Sequence, residues 1–268
     1  MSIASLPMYD LPEAARATDA WWAGLARAFA REGLDDVPDR LTRAETSAAT
    51  WRAPDLLLSQ TCGYPLTHEY KDDLRLVATP AYGVRGCKGP AYCSLIMVRD
   101  NDPVAELAGL RGRIAASNSR ESQSGCSALR AAIAPLSDGT AFFAEVVMSG
   151  GHAQSLDLVA RGEADVCAVD CVTHALLARY RPEAVHGLRC LAESPAAPGL
   201  PYVTRVGLDE DSLARLRAGL RAALDDPALA EPRAALFIEG AEVLPSDAYG
   251  RILELERMAR DLGYPELA

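Results

Sequence analysis

Apolar residues recur in two rhythms along this chain, and the switches between them mark its elements. Short unbroken apolar runs read as buried strands at residues 3–8, 56–58, 74–79, 94–99, 114–116, 142–148, 164–169 and 188–191. Helical spacing separates them. Trp22, Leu25, Ala26 and Phe29 keep one face apolar before Gly33. Leu129, Ala132 and Ile133 do so after Gly125, and Leu156, Val159 and Ala160 before Gly162. Val172, Ala175 and Leu176 mark another helix. Two late ones carry Leu213, Leu216, Leu220 and Leu224, then Ile252, Leu255, Ala259 and Leu262. Residues 41–44 read as a further short strand and residues 47–51 as a helical turn. The alternation predicts an α/β fold on a parallel sheet.

In an open α/β sheet, ligands sit beyond the carboxyl ends of the strands. The polar turns at those ends are Tyr9-Asp10, residues 60–64, residues 122–125, residues 149–152 and Asp170. They are rich in hydroxyls and glycine and poor in catalytic pairs, which points to a binding cleft rather than a reaction centre. The turn around Ser122, Gln123, Ser124 and Gly125 is the most informative. It follows an apolar strand and feeds a helix, so it exposes unpaired main-chain amides beside hydroxyls at the positive end of a helix dipole. That arrangement can hold an oxyanion without Lys or Arg. The plainer alternative is that Ser122 or Ser124 only caps the helix.

Composition narrows the classes. At 268 residues, the chain is long enough for one large or two modest domains. A hydrophobic share of 49% and a charged share of 24% fit a globular protein. A net charge of −10 argues against nucleic-acid binding, and no apolar run is long enough to insert in a membrane. The segment from Ile3 to Met8 is too short for a secretory h-region, so the sequence as it stands places the chain in the cytoplasm, or in the periplasm if a leader has been removed. Seven cysteines, an odd number, suit a reducing compartment. Without a CxxC pair, no metal site is expected, and no cofactor motif is present: there is no Walker loop, Rossmann GxGxxG, GxSxG or HExxH.

The turns in their order carry a resemblance. LLLSQTCGYPL at residues 56–66, SQSG at 122–125, SGGH at 149–152 followed by Ser155, and ADVCAVD at 164–170 resemble the phosphate/phosphite/phosphonate-binding proteins of ABC importers. The resemblance implies a two-lobed type II periplasmic-binding-protein fold, each lobe a mixed, mostly parallel sheet flanked by helices, with a ligand cleft between lobes that closes by a hinge. Projected here, lobe 1 is residues 1–93 and 191–268, lobe 2 is residues 94–190, and the crossovers fall near Cys93-Ser94 and Leu188-Arg189. It implies that Ser122, Gln123, Ser124 and Gly125 grip phosphonate oxygens, joined by His152 and Ser149. Asp170 would take the ligand's amino or hydroxyl group. Thr61 falls in the matching first-lobe turn, and Tyr9, Tyr64 and Tyr92 would line the opposite wall. The partners implied are a small phosphate- or phosphonate-like anion and an ABC importer, or a cytoplasmic partner protein if the chain is not exported.

Each of these residues has a second reading. His152 and Asp170 could simply cap helices, Tyr64 and Tyr92 could be packing aromatics, and His68, His174 and His186 read as solvated. Arg85 and Lys88 read as a solvated loop. Cys62 departs from a purely polar lining. An enzyme on the same fold is the rival function: chorismate dehydratase-like and thiamine-pyrimidine-synthase-like proteins share it, and Cys62, His152 and Asp170 are the side chains able to do such chemistry.

Overall fold

The computed structural model describes residues 2–44, 46–245 and 247–268. They form two compact units. The first contains Met1–Gly83, Lys88–Pro90 and Pro198–Ala248; the second contains Val84–Cys87, Ala91–Ala197 and Tyr249–Ala268.

In the first unit, a five-stranded sheet runs in the order Ile3–Ala4, Leu56–Gln60, Tyr202–Arg205, Leu74–Tyr82, Ile238–Glu242. Ile3–Ala4 and Leu56–Gln60 are parallel, while Tyr202–Arg205 runs antiparallel to both of its neighbours. All five residues of Leu56–Gln60 are buried, as their unbroken apolar start requires. The helices Ala15–Arg31 and Glu210–Asp225 pack together. Gly219 lets them approach, since a Cβ there would lie 2.5 Å from the Phe29 ring. The first strand stops at Ala4 rather than running to Met8. Ser5 turns its hydroxyl onto Ser59 at 2.7 Å, and Pro7 has no N–H to continue a ladder. Residues 41–44 form no strand.

The second unit is built on the strands Leu188–Glu193, Ser94–Arg99, Val166–Asp170, Ile114–Ser117 and Glu145–Met148, in that order. The last three are mutually parallel, whereas Ser94–Arg99 is antiparallel to both of its neighbours. Both sheets are therefore mixed, with more antiparallel pairing than the strand–helix alternation predicts. Tyr202–Arg205 in the first sheet and Ser94–Arg99 in the second are inner strands that run against both of their neighbours.

One boundary differs from the sequence expectation. The C-terminal stretch Tyr249–Ala268 belongs with the second unit, not the first. Ala259, Tyr264 and Leu267 share a core with Ile96, Leu129 and Phe142. The amides of Phe142 and Phe143 donate to the Ala268 carbonyl at 2.8 and 3.0 Å. Those bonds also explain why the strand predicted from residue 142 begins at Glu145. The second-unit segment likewise runs on to Ala197 instead of ending at 190.

Candidate functional site

The second unit gathers the polar turns at one end of its parallel strands. Register decides this: Ser117 lies opposite Met148, so the turns that follow the two strands start side by side. Main-chain bonds seal the pair, with Ser149 N donating to Ser117 O at 2.8 Å and Gly150 N to Asn118 O at 3.1 Å.

The first turn leads into a π-helical segment, Gln123–Ser127, continued by the α-helix Ala128–Ile133. Ser122 caps it by accepting from Gly125 N at 2.9 Å. The Ser122 carbonyl takes the amides of Cys126 and Ser127 at 3.3 and 3.0 Å. Among the described residues, the amides of Gln123 and Ser124 in this wide first turn have no protein acceptor. Gly125 has a steric reason for being glycine: a Cβ would lie 1.8 Å from Asn118 Oδ1.

The second turn reaches Gly151, which opens the helix His152–Arg161. His152 is its first residue, and Nε2 lies 2.8 Å from Ser124 Oγ. Nδ1 is buried and makes no well-aligned hydrogen bond. Desolvation lowers the imidazole pKa from 6.5 to about 4, against a weak opposing pull from the Ala168 backbone. The ring is therefore neutral at physiological pH. Ser124 Oγ also lies 3.5 Å from Ser122 Oγ, so hydroxyl, hydroxyl and imidazole form one chain. A Ser–His contact invites comparison with a nucleophile and its base. Here, among the described residues, no carboxylate orients the ring through Nδ1, so the pair is not a Ser–His–carboxylate triad.

Ser149 and Asp170 are more deeply engaged. The Ser149 hydroxyl contacts Ser155 Oγ at 2.7 Å, Gly151 O at 3.0 Å and Ser117 O at 3.2 Å, so it holds the turn together. Asp170 caps the helix Cys171–Tyr180, with Oδ1 accepting from Val172 N and Thr173 N at 2.7 and 3.0 Å. Its side chain is buried at the carboxyl end of Val166–Asp170. Tyr92 is buried in the same unit.

The remaining expected residues lie in the first unit. Tyr9 meets Tyr82 edge to face at 5.2 Å. They line a small cavity with Trp21, Gln60 and Tyr202, of about 20 Å³, which is room for roughly one water. Trp21 Nε1 donates to Tyr202 Oη at 3.1 Å and Gln60 Nε2 to Tyr82 Oη at 3.0 Å. Tyr9 thus belongs to a packed aromatic cluster that strand patterns did not reveal. Thr61 is fully buried, and its hydroxyl donates to the Cys62 carbonyl at 3.3 Å. Tyr64 stacks on His68 with centroids 3.9 Å apart, so His68 is not the solvated side chain expected. Their i,i+4 spacing on one helical turn is the signal that could have shown it. A polar pocket of about 260 Å³ was also missed; its lining includes Ser5, Asp10, Thr42, Arg43, Ser47 and Thr50. Arg43 is held there by Asp10 at 2.6 Å and Asp19 at 2.8 Å. Among the described residues no cluster could hold a metal ion, and no helix is long and apolar enough to cross a membrane.

With this geometry in hand, comparison with known proteins is informative. The family described as "ABC transporter, phosphonate, periplasmic substrate-binding protein" matches residues 52–243. No curated protein matches the chain in sequence. Solved structures do match in fold. The binding-protein component of an ABC phosphonate transporter from Pseudomonas aeruginosa superposes with a TM-score of 0.75 at 16% identity, over 97% of this chain and 87% of that one. PhnD1 of Prochlorococcus marinus, in complex with methylphosphonate, gives 0.73 at 15% identity, over 97% and 98%. A Xanthomonas citri protein bound to ATP gives 0.71 at 18% identity, with the same coverage. The mixed α/β sheets, their helices and these likenesses together give the fold as that of type II periplasmic binding proteins. The chain belongs to the phosphonate ABC-transporter substrate-binding family and is a solute-binding protein.

Proposed function

We propose that the protein reversibly binds a small phosphate- or phosphonate-like anion, held by residues 122–125 and His152 and enclosed by hinge closure of the two units. The observation that carries this reading is the convergence of Ser124 Oγ and His152 Nε2, 2.8 Å apart, next to the unpaired amides of Gln123 and Ser124. Hydrogen bonds to a charged acceptor are each worth about 1.5–3 kcal/mol when desolvated, so three or four of them support a specific complex. No cation from the protein is needed, because amides and hydroxyls supply the field. A neutral imidazole hydrogen-bonded to Ser124 can rotate that bond toward a ligand oxygen. Asp170, beside the same strand end, would accept from an amino or hydroxyl substituent, and Tyr64 would supply an aromatic wall. An ABC importer is the partner that a protein of this kind would serve.

The test is calorimetry and thermal shift with methylphosphonate, phosphate, phosphite and sulfate. A ligand at 100 times its Kd adds about 2.7 kcal/mol of stability. Ser124→Ala and His152→Ala should each weaken the best ligand by roughly 10- to 100-fold, on the scale of one charge-assisted hydrogen bond. Unchanged affinity in both variants would overturn the assignment of this turn. Small-angle scattering with and without ligand tests closure.

A further inference from the structure

Four of the seven cysteines fall in one region of the second unit, away from residues 122–125 in sequence: Cys87, Cys93, Cys171 and Cys190. Cys87 Sγ and Cys171 Sγ are 3.5 Å apart. Cys93 adjoins the pair, its sulfur set against the same glycine as the Cys171 sulfur. Gly86 sits against both sulfurs. A Cβ at this residue, whose φ is +92°, would lie 2.9 Å from Cys93 Sγ and 3.2 Å from Cys171 Sγ. The backbone fixes the cluster, with Cys93 N donating to Gly86 O at 2.9 Å and Cys171 N to Cys93 O at 3.2 Å. Cys93 and Cys171 are buried, whereas Cys87 is half-buried and open to a small reagent. Neither the binding function nor core packing requires three sulfurs together, since apolar side chains would fill the space equally well.

We propose that this cluster is a reversible thiol-oxidation site, in which Cys87 and Cys171 form a disulfide when the protein meets a peroxide. The Cys87 thiolate attacks one peroxide oxygen, the O–O bond breaks, and the released oxide leaves as water after taking up a proton. Cys87 is then a sulfenic acid. The Cys171 sulfur attacks the sulfenic sulfur, the S–S bond forms, the S–O bond breaks, and hydroxide leaves with the Cys171 proton as a second water. Two thiols lose two electrons in all, and hydrogen peroxide is reduced to two waters. Cys93, beside Cys171, can exchange into the bond by attacking the Cys171 sulfur and releasing Cys87 as thiolate. The 3.5 Å gap must close to the roughly 2.05 Å of a disulfide. The half-buried end of the pair lies beside Gly86, at a turn where the chain can make that shift. The product would tether the segment Val84–Cys87 to the first residue of Cys171–Tyr180, the helix that Asp170 caps.

The experiment treats the reduced full-length chain with hydrogen peroxide, blocks remaining thiols by alkylation, and reads intact mass and peptide maps. The expected result is a loss of about 2 Da, two fewer alkylated thiols, and a linked peptide pair joining Cys87 to Cys171, all reversed by dithiothreitol. Cys87→Ser and Cys171→Ser should each abolish the link, whereas Cys62→Ser should leave it intact. Circular dichroism confirms that each variant is folded. Sulfinic or sulfonic acid at Cys87 as the main product, disulfide-linked dimers, or a stoichiometric metal protecting these thiols would each overturn the proposal.

Discussion

Lowering the pH should destabilise this protein through His152, and the amount can be worked out. In the folded state the half-buried ring packs against Ser124 with Nδ1 buried, and desolvation brings its pKa from 6.5 to about 4. For a base whose folded pKa is depressed, the unfolded chain binds the proton more readily. Stability is therefore intact above the unfolded value of 6.5 and lost as pH falls through the window between 6.5 and about 4. At pH 5, the linkage relation gives a loss of about 2 kcal/mol from this one residue, and below pH 4 the loss levels off near 3 kcal/mol. The assay is urea denaturation at half-unit steps from pH 7.5 to 4.5, for the wild type and for His152→Asn. The difference in ΔG between the two should shrink by about 2 kcal/mol between pH 7 and pH 5, because the amide does not titrate. If the two curves stay parallel across that range, His152 is not buried neutral, and its partnership with Ser124 is not what holds the turn. A ligand anion in the site stabilises the imidazolium, so saturating ligand should move the acid loss to lower pH.

Other consequences follow from single contacts. Gly125→Ala forces a Cβ to within 1.8 Å of Asn118 Oδ1 and should cost about 1–3 kcal/mol and most of the ligand affinity; adding Asn118→Ala should restore stability, as thermal melts would show. Asp170→Ala removes the acceptor for Val172 N and Thr173 N and should cost about 1–2 kcal/mol in chemical denaturation, with Asp170→Asn losing less. Deleting residues 264–268 uncovers the core that Tyr264 and Leu267 close and strands the amides of Phe142 and Phe143; a loss of several kcal/mol is expected, not the small change of trimming a free tail. Trp21→Phe should cost about 1 kcal/mol by leaving Tyr202 Oη without its donor.

What the sequence disclosed, and what it hid, divides along the range of the interactions involved. Helix His152–Arg161 ends at Gly162 with φ +76°, a local requirement that glycine satisfies and that can be read directly. Leu56–Gln60 is equally plain, because an unbroken apolar run must be buried on both faces. The helix Gly250–Asp261 shows the limit. Ile252, Leu255 and Ala259 define an apolar face, but periodicity says that a face is covered and not by what. Its assignment to the first unit failed for that reason, since its partner core is set by tertiary packing with Phe142 and Leu129. Tyr9 shows the same limit: an aromatic at a strand end suits a ligand wall or a packed cluster alike, and its neighbours Trp21, Tyr82 and Tyr202 arrive from distant segments.

The candidate site combines both ranges. Ser122 capping Gly125 is a three-residue matter, and turn chemistry alone foretells the first-turn amides left over by the cap. The meeting of Ser124 and His152 spans 28 positions and depends on sheet register. The parallel pairing of Ile114–Ser117 with Glu145–Met148 places Ser117 opposite Met148, so both turns leave the sheet at one level. Pairing two residues out of register would carry His152 about 6–7 Å along the strand axis, beyond hydrogen-bond reach of Ser124. The parallel pairing that brings the two turns to one level therefore also fixes their distance, and a polar turn legible as local chemistry becomes a candidate site only through long-range pairing.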